Sequence, residues 1–183
     1  MTMTIEVEKQ ITVQPQPIAD ENPYLWLMAL DQATRETGYC TFNLERRDGE
    51  IINYEFNVQS MVKADGLMSM AWTLRDYVRN VDMIVCEDNK HQRNARTAQV
   101  LAELLGALRM ICGYEGTTFL DPISPREIAI AAHVDPFTKR APRLKILAER
   151  AELETSQKFN EHTCVAYWLG RCAIEKLMKG ENK

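Results

Sequence analysis

Hydrophobic and polar positions alternate along the chain with two different periods. From Tyr24 to Leu30 every residue is apolar, and the run stops on Asp31. An unbroken short run of this kind predicts a strand buried on both faces. From Gly38 to Glu45 the pattern alternates, with Cys40, Phe42 and Leu44 on one face. It alternates again from Ile51 to Asn57, with Ile52, Tyr54 and Phe56 together. Between these two segments lies Asp48-Gly49, a dipeptide that suits a two-residue hairpin turn. The three segments predict an antiparallel meander.

Helical spacing then takes over. Leu67, Met70, Ala71, Leu74, Val78 and Val81 predict a helix from Asp65 to Val81. MIVCE (83–87) is a second short apolar strand, and it too ends on an acid, Glu87. A long helix is predicted from Asn94 to Gly113, with Ala98, Leu101, Leu105, Leu108 and Cys112 in one stripe. Leu104 and Ile111 widen that stripe, so the helix is expected to be largely buried. TTFL (117–120) is a fifth strand. SPRE (124–127) joins a cap serine, a first-turn proline and a glutamate three residues after the serine, a strong helix start. A basic loop, a helix from Pro142 to Thr155 and a last helix from Glu161 to Met178 complete the chain. The order predicts an α/β fold with a mixed five-stranded sheet, its first three strands antiparallel and the later ones parallel, flanked by helices. Residues 1–22 are polar, hold two prolines and lack a helical period, so a flexible tail or at most an edge strand is expected there. Residues 23–183 are then read as one domain.

Composition changes this picture in three places. The net charge of −4 excludes a general nucleic-acid coat but leaves room for a local basic site. Positive charge does cluster, in RNAR (93–96) and KRAPRLK (139–145). The five cysteines are odd in number, lack CxxC spacing and fall mostly in apolar segments, which predicts reduced core residues. No apolar run reaches membrane-spanning length and the N-terminus shows no signal-peptide pattern, so a cytoplasmic protein is expected.

Candidate chemistry begins with the two acids. If the strands ending on Asp31 and Glu87 are parallel neighbours, both carboxylates emerge at one sheet edge, where ligands of α/β sheets bind. Two such carboxylates repel unless a divalent cation lies between them, and oxygen donors suit Mg²⁺ or Mn²⁺. The plainer alternative is that each acid ends its strand and faces water. In the last helix His162, Ala166, Gly170 and Ala173 form a stripe of small residues below a histidine, which would let that helix lie close to the sheet. His162, with Glu161 beside it, would then approach the strand ends; a solvated or capping histidine is the alternative.

Four segments carry a family resemblance. LDQATRETGYCTF resembles the opening of RuvC-type Holliday-junction resolvases, where a first strand ends on aspartate and a T-G-Y segment follows. DMIVCEDNKHQRNARTAQVLAELLGAL is similar to their next strand, loop and helix, FLDPISPREI to the following strand and helix entry, and EHTCVAYWLGRCA sits where they carry their last acids. The match spans roughly residues 25–175, and the small size suits a phage-type member. It implies an RNase H-like fold and a metal-dependent endonuclease that resolves four-way or otherwise branched DNA as a homodimer, with two Mg²⁺ or Mn²⁺ ions. Asp31 would bridge both ions and Glu87 would bind at least one. His162 stands where the family expects an acid, as a histidine does in related CRISPR effector nucleases. Three residues on, the family expects aspartate and this chain has Val165. Either Glu161 supplies the missing carboxylate, or the second ion is held weakly, or the site is impaired and the protein binds branched DNA without cutting it.

The basic residues Arg93, Arg96, Lys139, Arg140, Arg143 and Lys145 would contact DNA phosphates, or form solvated basic loops. Tyr39 and Trp72 are candidates for stacking on bases, but both fit apolar patterns and are expected to pack in the core. The dimer surface is expected on either the helix after Glu87 or the face bearing Met68 and Trp72. An RNase H-like ATPase would also place an aspartate after its first strand. It needs glycine-rich phosphate loops, and Asp31-Gln32-Ala33-Thr34 has no glycine before Gly38.

Overall fold

A computed structural model describes residues 22–88 and 94–180. The expected tail, apart from Asn22, and Arg93 lie outside the described residues. The elements are β1 (Tyr24–Asp31), β2 (Glu36–Arg47), β3 (Glu50–Lys63), α1 (Leu67–Val78), β4 (Met83–Cys86), α2 (Ala95–Glu115), β5 (Thr118–Phe119), α3 (Pro125–Ala131), α4 (Arg140–Thr155) and α5 (Glu161–Met178). They form a sheet of order β3-β2-β1-β4-β5. β1, β2 and β3 pair antiparallel, whereas β4 runs parallel to β1 and β5 parallel to β4. This is the mixed sheet that the hydrophobic pattern predicts.

β1 lies at the centre of the sheet, which is why its apolar run is unbroken. Leu27 and Ala29 face one core together with α3, α4 and α5, while Met28 and Leu30 face a second core with α1 and α2. Cys40, Phe42 and Leu44 of β2 are fully buried on the α5 side. The β2–β3 turn has positive φ at both central residues, 53° at Asp48 and 83° at Gly49, as the predicted two-residue hairpin requires.

β3 departs from the predicted alternation. Glu45 pairs with Asn53 and Arg46 with Ile51, so Ile52 is the extra residue of a bulge. Ile51 thereby joins Tyr54 and Phe56 against the core, and Ile52 turns outward at 41% exposed. β3 also runs on to Lys63, because β2 pairs with it along its full length even where its residues are polar.

Two further expectations are corrected. α2 buries Leu101, Leu104, Leu108 and Cys112, but Met110 and Tyr114 on its other side are exposed, so the helix is amphipathic rather than largely buried. Trp72 is 61% exposed, because α1 turns Met70, Ala71, Leu74 and Val78 inward instead. Tyr39 is partly buried, as expected, against Tyr77.

α5 is the most buried helix, with Thr163–Gly170 and Cys172–Ile174 all inside. Its close seat on the sheet depends on glycine at two places. A Cβ at Gly170 would run into the Phe42 ring, and one at Gly38 would stand 2.6 Å from the carbonyl carbon of His162. All five cysteines are buried and free. Among the described residues no helix is long and apolar enough to cross a membrane.

Candidate active site

Parallel pairing of β1 with β4 sets Leu30 opposite Cys86. Asp31 and Glu87 are the next residues on the two strands, and both side chains line one cleft at this sheet edge. Backbone pairing of β1 with β4 ends there, and a side chain continues it. Gln32 Nε2 donates to the Glu87 carbonyl at 2.7 Å, and Gln32 Oε1 accepts from the Glu87 N–H at 3.1 Å. Glu87 is held on its other side by a parallel bridge to Ile123. Gln32 is only 4% exposed. Sequence reasoning passed over it; the available signal was a side-chain amide directly after a buried strand.

The third group arrives from α5. Asn160 caps this helix, accepting from the N–H groups of His162 and Thr163 at 2.9 Å each, and Thr163 Oγ1 accepts from the Asn160 N–H at 3.1 Å. Gly38 lies opposite Asp31 in the β1–β2 ladder, and its missing side chain lets this first turn sit against the strand. His162 Nδ1 consequently lies 2.7 Å from Asp31 Oδ2.

Glu87 and His162 both respond to the Asp31 carboxylate. Burial, the charge of Asp31 and a hydrogen bond shared with Asp31 push the Glu87 carboxyl up to about 8, with Arg140 and Arg143 pulling the other way. The hydrogen bond to Asp31 raises the His162 imidazole above its ordinary value despite partial burial, helped by the charges of Asp31, Glu161 and Glu36. The cleft is about 480 Å³, and Asp31, Gln32, Glu87, Arg96, Arg140, Arg143, His162 and Val165 are among the residues that line it.

The basic segments contribute selectively. Arg96 belongs to the first turn of α2, where Asn94 Oδ1 accepts from its N–H at 3.0 Å. Arg140 and Arg143 belong to the first turn of α4, which starts two residues before the predicted Pro142. The segment from Arg140 onward is therefore helix rather than loop, since proline is tolerated in a first turn. Lys139 precedes that helix and Lys145 sits 3.9 Å from Glu149; neither lines the cleft. The Glu161 side chain is 64% exposed, with Oε1 3.9 Å from His162 Nε2, and it does not line the cleft either. Val165 does, as an apolar residue that is 8% exposed.

Among the described residues no group of three or more His, Cys, Asp or Glu side chains forms a ready metal cage. The adjacent Asp31 and Glu87 carboxyls nonetheless fit a hard divalent ion. Mg²⁺ is commonly held by one or two carboxylates, with water and phosphate oxygens completing its shell.

Sheet order and helix placement define the class: an RNase H-like α/β fold. Among solved structures the chain is similar to Thermus thermophilus RuvC, with a TM-score of 0.66 and 13% identity over 87% of this chain and 99% of that one. The same protein in complex with Holliday junction substrate matches with a TM-score of 0.65 and 12% identity, over 87% of this chain and 99% of that one. A Fowlpox virus resolvase in complex with substrate Holliday junction DNA matches with a TM-score of 0.60 and 12% identity, over 84% of this chain and 99% of that one. The resemblance read from the sequence is thus matched by the fold. No protein-family model and no curated protein matches the sequence.

Proposed function

We propose that this protein is a divalent-cation-dependent endonuclease that cuts four-way or other branched DNA. The observation that carries this reading is the pair Asp31 and Glu87 on adjacent parallel strands, in a cleft flanked by Arg96, Arg140 and Arg143. Asp31 and Glu87 would hold Mg²⁺ or Mn²⁺, and two such ions supply a polarised phosphate and an activated water. His162 fixes the orientation of Asp31 through Nδ1 and leaves Nε2 to exchange a proton with water or the leaving 3′ oxygen. Gln32 keeps the two strand ends in register, so the carboxyls stay adjacent. Arg96, at the N-terminus of α2, and the arginines of α4 bind flanking phosphates. Paired nicks across a junction call for a two-fold dimer, and the exposed Met68 and Trp72 of α1 are the surface we assign to it. The compartment is the cytoplasm, where DNA of a bacterial or phage genome is met.

The test is cleavage of a labelled four-way junction in Mg²⁺ or Mn²⁺, comparing wild type with Asp31→Asn. Paired nicks near the crossover by wild type, absent in the variant, are expected. A second reading, a junction-binding protein without cleavage, has one observation in its favour: Val165 places an apolar side chain in the cleft where the resemblance expects aspartate. Tight junction binding by wild type without any nick would select it. Reversing charge with Arg140→Glu and Arg143→Glu together is expected to weaken junction binding by at least about tenfold at low salt and to flatten its salt dependence. Unchanged affinity in a filter-binding titration would remove α4 from the interface.

A further inference from the structure

The segment joining α3 to α4 exposes an aromatic ring, three residues before the first cleft-lining arginine of α4. Phe137 is 82% exposed and belongs to neither core. Its backbone is nevertheless set in place. Asp135 Oδ1 accepts from the Phe137 N–H at 3.0 Å, and the Thr138 N–H donates to the Asp135 carbonyl at 3.0 Å. Asp-Pro-Phe-Thr is thus a hydrogen-bonded turn with aspartate first and proline second, the positions each favours.

One cation meets the ring. The Arg126 guanidinium lies over it, 5.9 Å from the centroid, within cation–π range. Arg126 directly follows Pro125, and Phe137 comes three residues before Arg140; Pro125 and Arg140 both line the cleft. The ring is thus carried on backbone three residues from a cleft-lining arginine, with a cation over it and most of its surface open. An exposed aromatic ring paired with an arginine, in chain continuity with two more, is a combination by which proteins take hold of unpaired nucleotides, stacking the base on the ring and neutralising the adjoining phosphates.

We infer that Phe137 is a base-stacking subsite for an unpaired nucleotide of the DNA entering the cleft. Arg126 holds the ring, and Arg140 and Arg143 bind the phosphates beside that nucleotide. The inference rests on the nuclease reading above and deepens it. It selects for branched DNA because a crossover or flap offers unstacked bases, whereas a continuous duplex does not.

The experiment is a fluorescence titration in EDTA, which leaves the DNA uncut. The probes carry 2-aminopurine in a short single strand, at the crossover of a four-way junction, or within a continuous duplex. Wild type is expected to quench the single-strand and junction probes. Phe137→Ala should bind those two on the order of tenfold more weakly and lose the quenching. Its duplex affinity should not change, and Phe137→Trp should keep both properties. Equal affinity and equal quenching in wild type and Phe137→Ala would overturn the inference. A changed sedimentation coefficient in Phe137→Ala with DNA binding intact would overturn it too, by assigning the ring to a protein contact. Should wild type show no preference for junction over duplex while the single-strand effect of Phe137→Ala persists, the junction reading falls and the stacking subsite stands. Absence of all DNA binding by wild type would remove both.

Discussion

Glu87 and Glu127 are two partly buried glutamates whose carboxyls are driven in opposite directions. Burial pushes the Glu127 carboxyl up, but the Lys176 ammonium at 2.7 Å, the Ser124 hydroxyl and the Ser124 N–H outweigh it and bring it down to about 2. Each Glu127 oxygen has a partner, and together they tie the capped start of α3 to α5. At Glu87 burial acts the same way, and the neighbouring Asp31 adds to it, so the carboxyl rises to about 8. The difference lies in what the fold brings alongside. An acid set beside an ammonium and a helix cap is part of the scaffold. An acid set beside another acid carries a field that an incoming cation relieves.

The comparison can be broken most directly with Glu87→Gln. Loss of one of the two carboxyls is expected to lower junction cleavage on the order of 10³-fold, several kcal/mol of transition-state stabilisation. In EDTA the same change should raise the melting temperature by a few degrees above about pH 8, because it removes a buried charge and its repulsion with Asp31. A variant that is less stable yet cleaves as wild type would place Glu87 with Glu127 among the structural acids.

Gly38→Ala sharpens the comparison at the next level. The added Cβ would meet the His162 carbonyl carbon at 2.6 Å and lift the first turn of α5 off β2. We expect a loss of about 1–3 kcal/mol in a denaturant titration. Cleavage should fall on the order of 10²-fold, since a displacement of about 1 Å at a reacting group has that effect. Wild-type cleavage by this variant would remove His162 from the reaction.

The smallest effect is expected from Glu127→Gln. Its side chain is 41% exposed, so solvent screening reduces the contribution to about 1 kcal/mol, with cleavage unchanged. The pH dependence gives each glutamate a signature. The Glu127 contribution is complete above its ordinary value of 4.5 and fades as pH falls toward 2, so wild type and variant should converge in acid. For Glu87 in metal-free protein the sign reverses. Its contribution is present below 4.5 and fades as pH rises through about 8. Thermal unfolding across pH, with and without EDTA, reads both.

Much of the fold was legible because the patterns that carry it are local. An unbroken apolar run marked β1 as the strand covered on both faces, Asp48-Gly49 marked the hairpin, and Ser124 with Glu127 marked the start of α3. The span of α5 and the placing of Asp31 and Glu87 at one sheet edge followed from the same kind of reading. Helical phase was harder to read. Of the run Lys139, Arg140, Arg143 and Lys145, only the two arginines line the cleft, and that depends on which turn of α4 begins where. The outward turn of Ile52 depends on a bulge, which exists only once β2 and β3 are paired.

The sequence by itself determined the order of elements, the central place of β1 and the kinds of side chain that end its strands. Those follow from periodicity and from the chemistry of single residues. Tertiary structure alone decided which partner each charge acquired: Asp31 with His162, Glu127 with Lys176, and the amide of Gln32 with the backbone of Glu87. The physical reason is distance. A carboxyl responds to charges and donors within a few ångströms, and here those neighbours come from segments far apart in the chain, so its character is set when the chain closes around it.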